Sequence, residues 1–200
     1  MRQEFSSGTI DEMRIIGGRL GGRDLGAVPA GVRPTSDRVR ESLFSALGSV
    51  EGFSVLDLFA GTGALGLESI SRGAERVVFV DRSRRVIREL KGRIAALGLN
   101  EPGVVRVLAI DAEKAIGRLA RAGEESFDLV FLDPPYEVGD RVGALRALFS
   151  AGILSAQARV VVEGPKRHPL PVLSGVRVLD ERDYGETKLT WLEASDPVER

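Results

Sequence analysis

The sequence predicts an α/β fold with a mostly parallel, seven-stranded, doubly wound sheet. From Phe53 onward, short runs of β-branched and apolar residues alternate with amphipathic stretches, and each run ends at a turn residue or an acid. This alternation is typical of strand–helix units whose helices cover both faces of a parallel sheet. Near the C-terminus, two segments of alternating polarity flank Gly185, which predicts an antiparallel hairpin. A chain of 200 residues has the length of one such domain.

The N-terminal part of the chain lacks this rhythm. Residues 1–12 are polar and show no periodicity, so we expect an extension there, with Met13 as an alternative start. Between Gly17 and Gly31, six glycines alternate with short apolar pairs, which predicts a small β arm rather than a helix.

Periodicity and capping residues place the remaining elements. Thr35 or Ser36 can cap a helix with one apolar face, which ends at Gly48. A second amphipathic helix runs from Val86 to Leu97, since its apolar residues recur at spacings of three and four. The predicted strands are 53–58, 76–81, 104–109, 127–132, 158–163, 176–183 and 187–192. We therefore divide the chain into the extension 1–12, an arm and helix at 13–50, and a main domain at 51–195.

Composition excludes several classes of site. The chain has no cysteine and one histidine, His168, which removes disulfides, thiolate nucleophiles and metal sites built from cysteines or several histidines. No stretch approaches the roughly 18–20 apolar residues that cross a bilayer, and the first residues lack an apolar signal region. We expect a cytoplasmic protein with no metal and no membrane partner.

Positive charge is concentrated near the N-terminus, although the net charge of the chain is −1. Between Met13 and Arg40 lie six arginines and two acids. Arginine suits phosphate recognition because its planar guanidinium presents several donors. Arginine-rich codon usage is an alternative cause of the bias. We expect this segment to face an anion, and the candidate contacts are Arg14, Arg19, Arg23, Arg33 and Arg40, which would be RNA-binding residues if the anion is RNA.

A glycine-rich turn follows the first strand of the main domain. Gly61, Gly63 and Gly66 form a G-x-G-x-x-G pattern directly after Asp57 and Leu58. Ligands of open α/β sheets bind at the carboxyl ends of the strands. A dinucleotide pyrophosphate would be repelled by Asp57, so the acid favours a cationic ligand without phosphate, such as S-adenosylmethionine. The alternative is a tight turn with an incidental acid.

Acids also follow the next two strands. Asp81 can accept hydrogen bonds from both hydroxyls of a ribose. Asp111, with Ala112, can accept from an adenine amino group. For both aspartates the alternative is the capping of the helix that follows.

The fourth strand ends in Asp133-Pro134-Pro135-Tyr136. Two consecutive prolines remove two N–H donors and restrict two φ angles, so the Asp133 carboxylate and the Pro134 carbonyl are held rigidly. A planar amine could donate one N–H to each of these acceptors, and Tyr136 supplies a face on which a base can stack. A proline turn without a catalytic role is the alternative.

Together these motifs resemble the class I S-adenosylmethionine-dependent methyltransferases that act on exocyclic amines of bases. The segments 13–19, 31–44 and 184–189 are similar to the bacterial family that methylates guanine N2 in 16S ribosomal RNA. The resemblance covers about residues 13–193. It implies a Rossmann-like fold, S-adenosylmethionine as cofactor, and guanine 966 as target, reached in an assembled or partly assembled small ribosomal subunit. We expect the enzyme to be a monomer.

The resemblance also implies a role for each matched residue. The arm and helix would contact RNA and cofactor, while the main domain would carry the catalytic site. The guanine would be held by Asp133, Pro134, Pro135 and Tyr136. The cofactor would be bound by Asp57, Phe59, Ala60, Gly61, Thr62, Gly63, Asp81, Arg82, Asp111, Ala112, Thr35 and Arg38.

Three other functions share part of this pattern. A DNA adenine N6 methyltransferase could use the same acceptors, but the chain leaves little room for a separate target-recognition domain. An NAD-dependent oxidoreductase would use the glycines and Asp81 and leave Asp57 and Asp133 unexplained. A non-catalytic RNA-binding relative would not need both motifs intact.

Overall fold

The computed structural model describes residues 12–27, 36–123, 126–134 and 138–195, with the side chains of residues 12 and 138–140 excepted. The strands are β1 (Glu12–Arg14), β2 (Asp24–Ala27), β3 (Ser54–Leu58), β4 (Arg76–Val80), β5 (Val105–Leu108), β6 (Phe127–Leu132), β7 (Leu154–Pro165), β8 (Val176–Tyr184) and β9 (Thr187–Ala194). The helices are α1 (Asp37–Leu47), α2 (Ala64–Ser71), α3 (Arg84–Ala96), α4 (Ala112–Arg121) and α5 (Val138–Ser150), with a 3-10 turn at Gly18–Leu20.

Strands β3 to β9 form one sheet in the order β5-β4-β3-β6-β7-β9-β8. The first five strands in this order, from β5 to β7, are parallel to one another. Strand β9 is antiparallel to both β7 and β8. The chain moves outward from β3 on one side and from β6 on the other, so the topological switch point lies between β3 and β6. This topology confirms the predicted parallel sheet and its antiparallel C-terminal hairpin.

Helices cover both faces of the sheet, and each face has its own apolar core. One core packs α1, α2 and α3 against the sheet, and it includes Phe44, Ile70 and Leu90. The other core packs α4 and α5 against the opposite face, through residues such as Ile116 and Leu145. Among the described residues, no helix combines the length and the apolar character that a membrane span needs.

The predicted boundaries are close to the observed ones because turn and cap chemistry is local. Ser36 caps α1 by accepting a hydrogen bond from the Val39 backbone N–H, and the helix ends at Gly48, whose φ is 74°. The largest difference is β7, which begins at Leu154 rather than at residue 158. An irregularity in its pairing with β6 lets Leu154 still pair with Phe127.

The predicted N-terminal arm exists as the antiparallel pair β1–β2. It packs on the C-terminal end of α2, where Gly17 and Gly18 leave no room for a side chain. A Cβ on Gly17 would lie 2.5 Å from Arg72 Nη2, and one on Gly18 would lie 1.9 Å from the Ser71 carbonyl oxygen. The arm shares its apolar core with α1, α2 and α3, and the division of the chain at residue 50 stays a prediction.

A buried carboxylate, that of Glu68 in α2, holds the arm in place. It accepts hydrogen bonds from the backbone N–H groups of Ile16 and Gly17, each at 2.8 Å, and from Arg72 Nε at 2.7 Å. Arg40 Nη1 lies 3.9 Å from the same carboxylate, and both side chains are fully buried. The arm is therefore fastened to α1 and α2 by charge-assisted contacts inside the protein.

The burial of Arg40 corrects one expectation from the sequence. Its guanidinium donates to the Arg14 carbonyl oxygen at 2.8 Å and to the Asp37 carboxylate at 2.6 Å. Because none of its side chain reaches solvent, Arg40 is a structural residue and its prediction as an RNA contact is wrong.

Replacing Glu68 by Gln should destabilise the protein by about 3–5 kcal/mol, because it removes the negative charge beside the buried Arg40 and the half-buried Arg72 and takes away an acceptor from the buried arm contacts. Chemical denaturation measures this difference. Glu75→Gln, at an exposed position, is the control and should stay within about 0.5 kcal/mol of the parent chain. Equal stabilities of the two variants would contradict the role given to Glu68.

Candidate functional site

The carboxyl ends of β3, β4, β5 and β6 meet at one edge of the sheet and bring the predicted acids together. Asp57 lies in β3, beside Phe79 of β4 and Phe131 of β6. Asp81 and Asp133 follow β4 and β6 directly. The candidate site therefore straddles the switch point, where open α/β sheets bind their ligands.

Asp57 is a buried carboxyl group, with 3% of its surface exposed. Burial raises its pKa to about 8, a hydrogen bond from the Gly66 backbone N–H opposes the shift, and the nearby charge of Asp81 adds to it. A positive group placed beside Asp57 would relieve the desolvation of its carboxylate form. This chemistry fits a cationic ligand and disfavours a phosphate.

The loop after β3 is held in an uncommon backbone conformation. Phe59 has a φ of 61° and is the non-glycine residue with positive φ among the residues described. The Ala60 N–H donates to the Val80 carbonyl oxygen at 2.9 Å, and the Gly61 N–H donates to the Asp81 carboxylate at 3.0 Å. A strained backbone conformation of this kind is kept only where the surrounding contacts hold it in place. Such conformations are common at ligand-binding sites.

The glycines of the loop have different roles. Gly63 has a φ of 80°, and a Cβ there would lie 2.3 Å from Leu90 Cδ1. A Cβ on Gly66 would lie 2.2 Å from Phe79 Cε1, so this glycine allows α2 to pack closely on the sheet. Thr62 is buried beside them. The third glycine of the pattern thus serves packing, while the first two shape the loop.

Asp81 and Asp111 follow equivalent strands and differ in what they bind. The carboxylate of Asp81 accepts from the Ser83 N–H at 2.7 Å and from the Gly61 N–H, while Ser83 itself caps α3. Asp81 therefore joins β4 to the glycine loop and is not the cap of α3. Asp111 caps α4 by accepting from Glu113 and Lys114, as the alternative interpretation of this residue expected.

Asp133 lies at the end of β6, partly exposed, and is followed by the buried Pro134. Pro135 and Tyr136 lie outside the described residues, and so do the predicted Thr35 and Arg33. Of the other predicted contacts, Ala112 is buried, whereas Arg82 and Arg38 are exposed.

The sequence interpretation missed Arg141, a buried arginine of α5 beside Asp133. Only 3% of its surface is exposed, and it donates to the His168 carbonyl oxygen at 3.1 Å. A Cβ on Gly164 would lie 1.9 Å from its Nη1, so the guanidinium passes over that glycine. Burial lowers the pKa of Arg141, and the charge of Asp133 partly opposes the shift. The available signal was an arginine within a largely apolar helix that follows the proline pair.

The predicted RNA contacts of the arm differ in whether they pair with an acid. Arg14 is exposed but donates to Asp37 at 3.1 Å. Arg19 and Arg23 are exposed, so the arm keeps part of the predicted cationic surface.

Comparison with known proteins agrees with this geometry. The family described as "conserved hypothetical protein 95" matches residues 13–193. The chain belongs to this family. It is 37% identical over 176 residues to ribosomal RNA small subunit methyltransferase D of Escherichia coli strain K12, covering 86% of this chain and 84% of that protein.

Solved structures confirm the Rossmann-like fold. The yhhF protein of Escherichia coli superposes with a TM-score of 0.78 at 30% identity, covering 92% of this chain and 98% of the other. The Thermus thermophilus protein TTHA0928 gives a TM-score of 0.76 at 34% identity, covering 91% and 99%. The family resemblance inferred from the motifs is thereby confirmed.

The raised pKa of Asp57 predicts that a cationic ligand binds with release of a proton. Below about pH 8 the ligand-free carboxyl group is mainly protonated, and a nearby positive charge lowers its pKa. S-adenosylmethionine should therefore bind more tightly as the pH rises toward 8. Calorimetry at pH 7 in buffers of different ionisation enthalpy measures the release, which Asp57→Asn should abolish. Unchanged release in this variant would rule out Asp57 as its source.

Gly66→Ala should destabilise the protein by about 1–3 kcal/mol, because the added methyl group overpacks the contact with Phe79. Gly92→Ala is the matched control: a Cβ there has no atom within 4 Å, and alanine at a helix interior should stabilise by about 0.8–1.0 kcal/mol. Thermal unfolding measures both changes in stability, which should be a loss for Gly66→Ala and a gain for Gly92→Ala.

Proposed function

We propose that this chain transfers a methyl group from S-adenosylmethionine to the exocyclic N2 amine of a guanine in the small-subunit ribosomal RNA. The observation that carries the proposal is the edge of the sheet at the switch point, where a buried carboxyl group and a rigid acceptor pair lie on neighbouring strands. Membership of a family with a relative named ribosomal RNA small subunit methyltransferase D supports it. The family resemblance favours guanine 966 as the target.

On the cofactor side, the residues suit a ligand with positive charge and a ribose. Asp57 is a desolvated carboxyl group whose carboxylate form a positive ligand would stabilise, and Asp81 retains acceptor capacity beyond its two backbone hydrogen bonds. Bound S-adenosylmethionine would supply an electrophilic methyl group on its sulfonium. The glycine loop, with Gly61 and Gly63, would pass close to the amino-acid end of the cofactor. An NAD pyrophosphate would instead meet two carboxyl groups.

On the amine side, the chain presents hydrogen-bond acceptors, and the reaction does not require a general base before the attack. Asp133 and the carbonyl of Pro134 can each accept one N–H of a planar amine. The lone pair of such an amine is delocalised into the ring, so its alignment with the methyl group supplies much of the rate. As the N–C bond forms and the S–C bond of the sulfonium breaks, the amine becomes positively charged, and its extra proton then passes to the Asp133 carboxylate or to water, since Asp133 is partly exposed. Arg141 keeps a cation beside Asp133, and stacking of the base on Tyr136 completes the proposed clamp.

The layout of the sheet favours RNA over DNA as substrate. The chain between Asp81 and Asp133 is occupied mainly by α3, β5, α4 and β6, which leaves no separate target-recognition domain there. A small domain with a cationic arm fits folded RNA, where the shape of the substrate supplies specificity. We propose that the enzyme acts in the cytoplasm as a monomer, on small ribosomal subunits that are assembled or partly assembled.

Methyl transfer from labelled S-adenosylmethionine tests the proposal on duplex DNA, naked small-subunit RNA and unmethylated small subunits. Nucleoside digestion should show N2-methylguanosine from the ribosomal substrates. N6-methyladenine from DNA would replace this function with the adenine alternative. Tight cofactor binding without transfer to any substrate would point to a non-catalytic relative.

Two variants separate the proposed roles of the acids. Asp133→Ala should lower kcat by about 10²-fold or more, because it removes an acceptor positioned for the reacting amine. Its Kd for S-adenosylmethionine should stay close to that of the parent enzyme. Asp81→Ala should instead weaken cofactor binding. Equal losses of cofactor affinity in both variants would contradict the assignment.

A further inference from the structure

Helix α3 carries the densest run of positive charge among the described helices. Between residues 82 and 93 the chain has six basic residues and one acid, Glu89. Glu89 pairs with Arg85 at 3.5 Å, and Arg93 is turned toward the arm, where it donates to the carbonyl oxygens of Leu25 and Ala27 at 2.7 and 2.8 Å. The remaining cations of the helix lie elsewhere on its surface.

Three of these cations form a stripe along one side of the helix. Arg84, Arg88 and Lys91 follow a spacing of four and three residues, which places them on the same face. All three are exposed, and none of them forms an ion pair with another residue in the part of the chain that the structure describes. We call these three residues the α3 stripe.

The α3 stripe is unfavourable for the helix in isolation. Like charges at a spacing of four residues repel each other and destabilise a helix. The apolar residues Val86, Ile87, Leu90 and Ile94 are all buried against the sheet, so the stripe faces away from the core. A polyanion on this face would turn the repulsion into attraction.

The position of α3 connects the candidate site to the arm. Its first turn begins three residues after Asp81, at the edge of the sheet that holds the site. Its last turns hold β2 of the arm through Arg93. The α3 stripe therefore begins near the cofactor side and runs about 10 Å along the helix, on the flank opposite the side chain of Arg93.

We propose that the α3 stripe binds the phosphate backbone of the RNA substrate beside the target nucleotide. The inference rests on the proposed function and adds to it a surface that is distinct from the acids of the site. The guanidinium of arginine and the ammonium of lysine both bind phosphates, and the exposed side of α3 has no large apolar side chain that would insert into a lipid bilayer. The chain as a whole carries a net charge of −1, so a generally cationic surface does not account for the stripe.

The test compares two variants that lose three positive charges each. One carries Arg84→Gln, Arg88→Gln and Lys91→Gln. The matched control carries Arg118→Gln, Arg121→Gln and Arg146→Gln, which are exposed residues of α4 and α5 on the opposite face of the sheet. For each protein, the Kd for unmethylated small subunits is measured between 50 and 200 mM KCl, together with kcat, KM and the Kd for S-adenosylmethionine.

The stripe variant should bind RNA about tenfold or more weakly, and the slope of log K against log salt should fall by about 2, since each lost phosphate contact removes about 0.7. Its KM should rise while kcat at saturating substrate and the cofactor Kd stay unchanged. The control should change RNA affinity less than about twofold.

Other outcomes would overturn the inference. An equal loss of RNA affinity in both variants would show an effect of net charge alone. Unchanged RNA affinity in the stripe variant would show that the stripe contacts only solvent. If the parent protein methylates the subunits while the stripe variant matches the control, the inference fails and the proposed function stands. If the parent protein neither binds nor methylates RNA, both fail.

Discussion

The arm, α1 and α2 are joined by the carboxyl group of Glu68 inside the protein. A buried charge is tolerated where donors surround it, and here two backbone N–H groups and Arg72 donate to it while Arg40 lies close. Because α2 begins at the glycine loop, the same contacts tie the arm to the element that shapes the candidate cofactor site. The close approach that this requires explains the glycines at Gly17 and Gly18.

The two strands at the switch point place carboxyl groups in contrasting surroundings. Asp57 is enclosed and its pKa is raised by burial, so it responds to a positive ligand. Asp133 lies at the partly exposed edge with the guanidinium of Arg141 nearby. Neighbouring acids with different environments can serve different chemical partners, since burial and nearby charges set what each carboxylate attracts. One edge of a parallel sheet can thereby face a cationic cofactor and a neutral amine together.

The distribution of exposed cations changes the picture of RNA binding drawn from the N-terminal arginines. Arg40 is inside the protein and Arg14 is paired with Asp37, so the arm contributes less free charge than its composition indicates. The α3 stripe supplies charge that is not engaged in such pairs. Both surfaces lie on the side of the sheet that α1, α2 and α3 cover.

The sequence by itself determined the fold class, the seven strands of the main sheet, the start of α1 after Thr35 or Ser36 and the loop after Asp57, because periodicity and turn chemistry act over a few residues. Only the tertiary structure decided which arginines are inside. Glu68 is 51 residues from Gly17, and Arg141 reaches the backbone of His168 across 27 positions. Such contacts depend on how distant elements pack, and no local pattern in the chain records them.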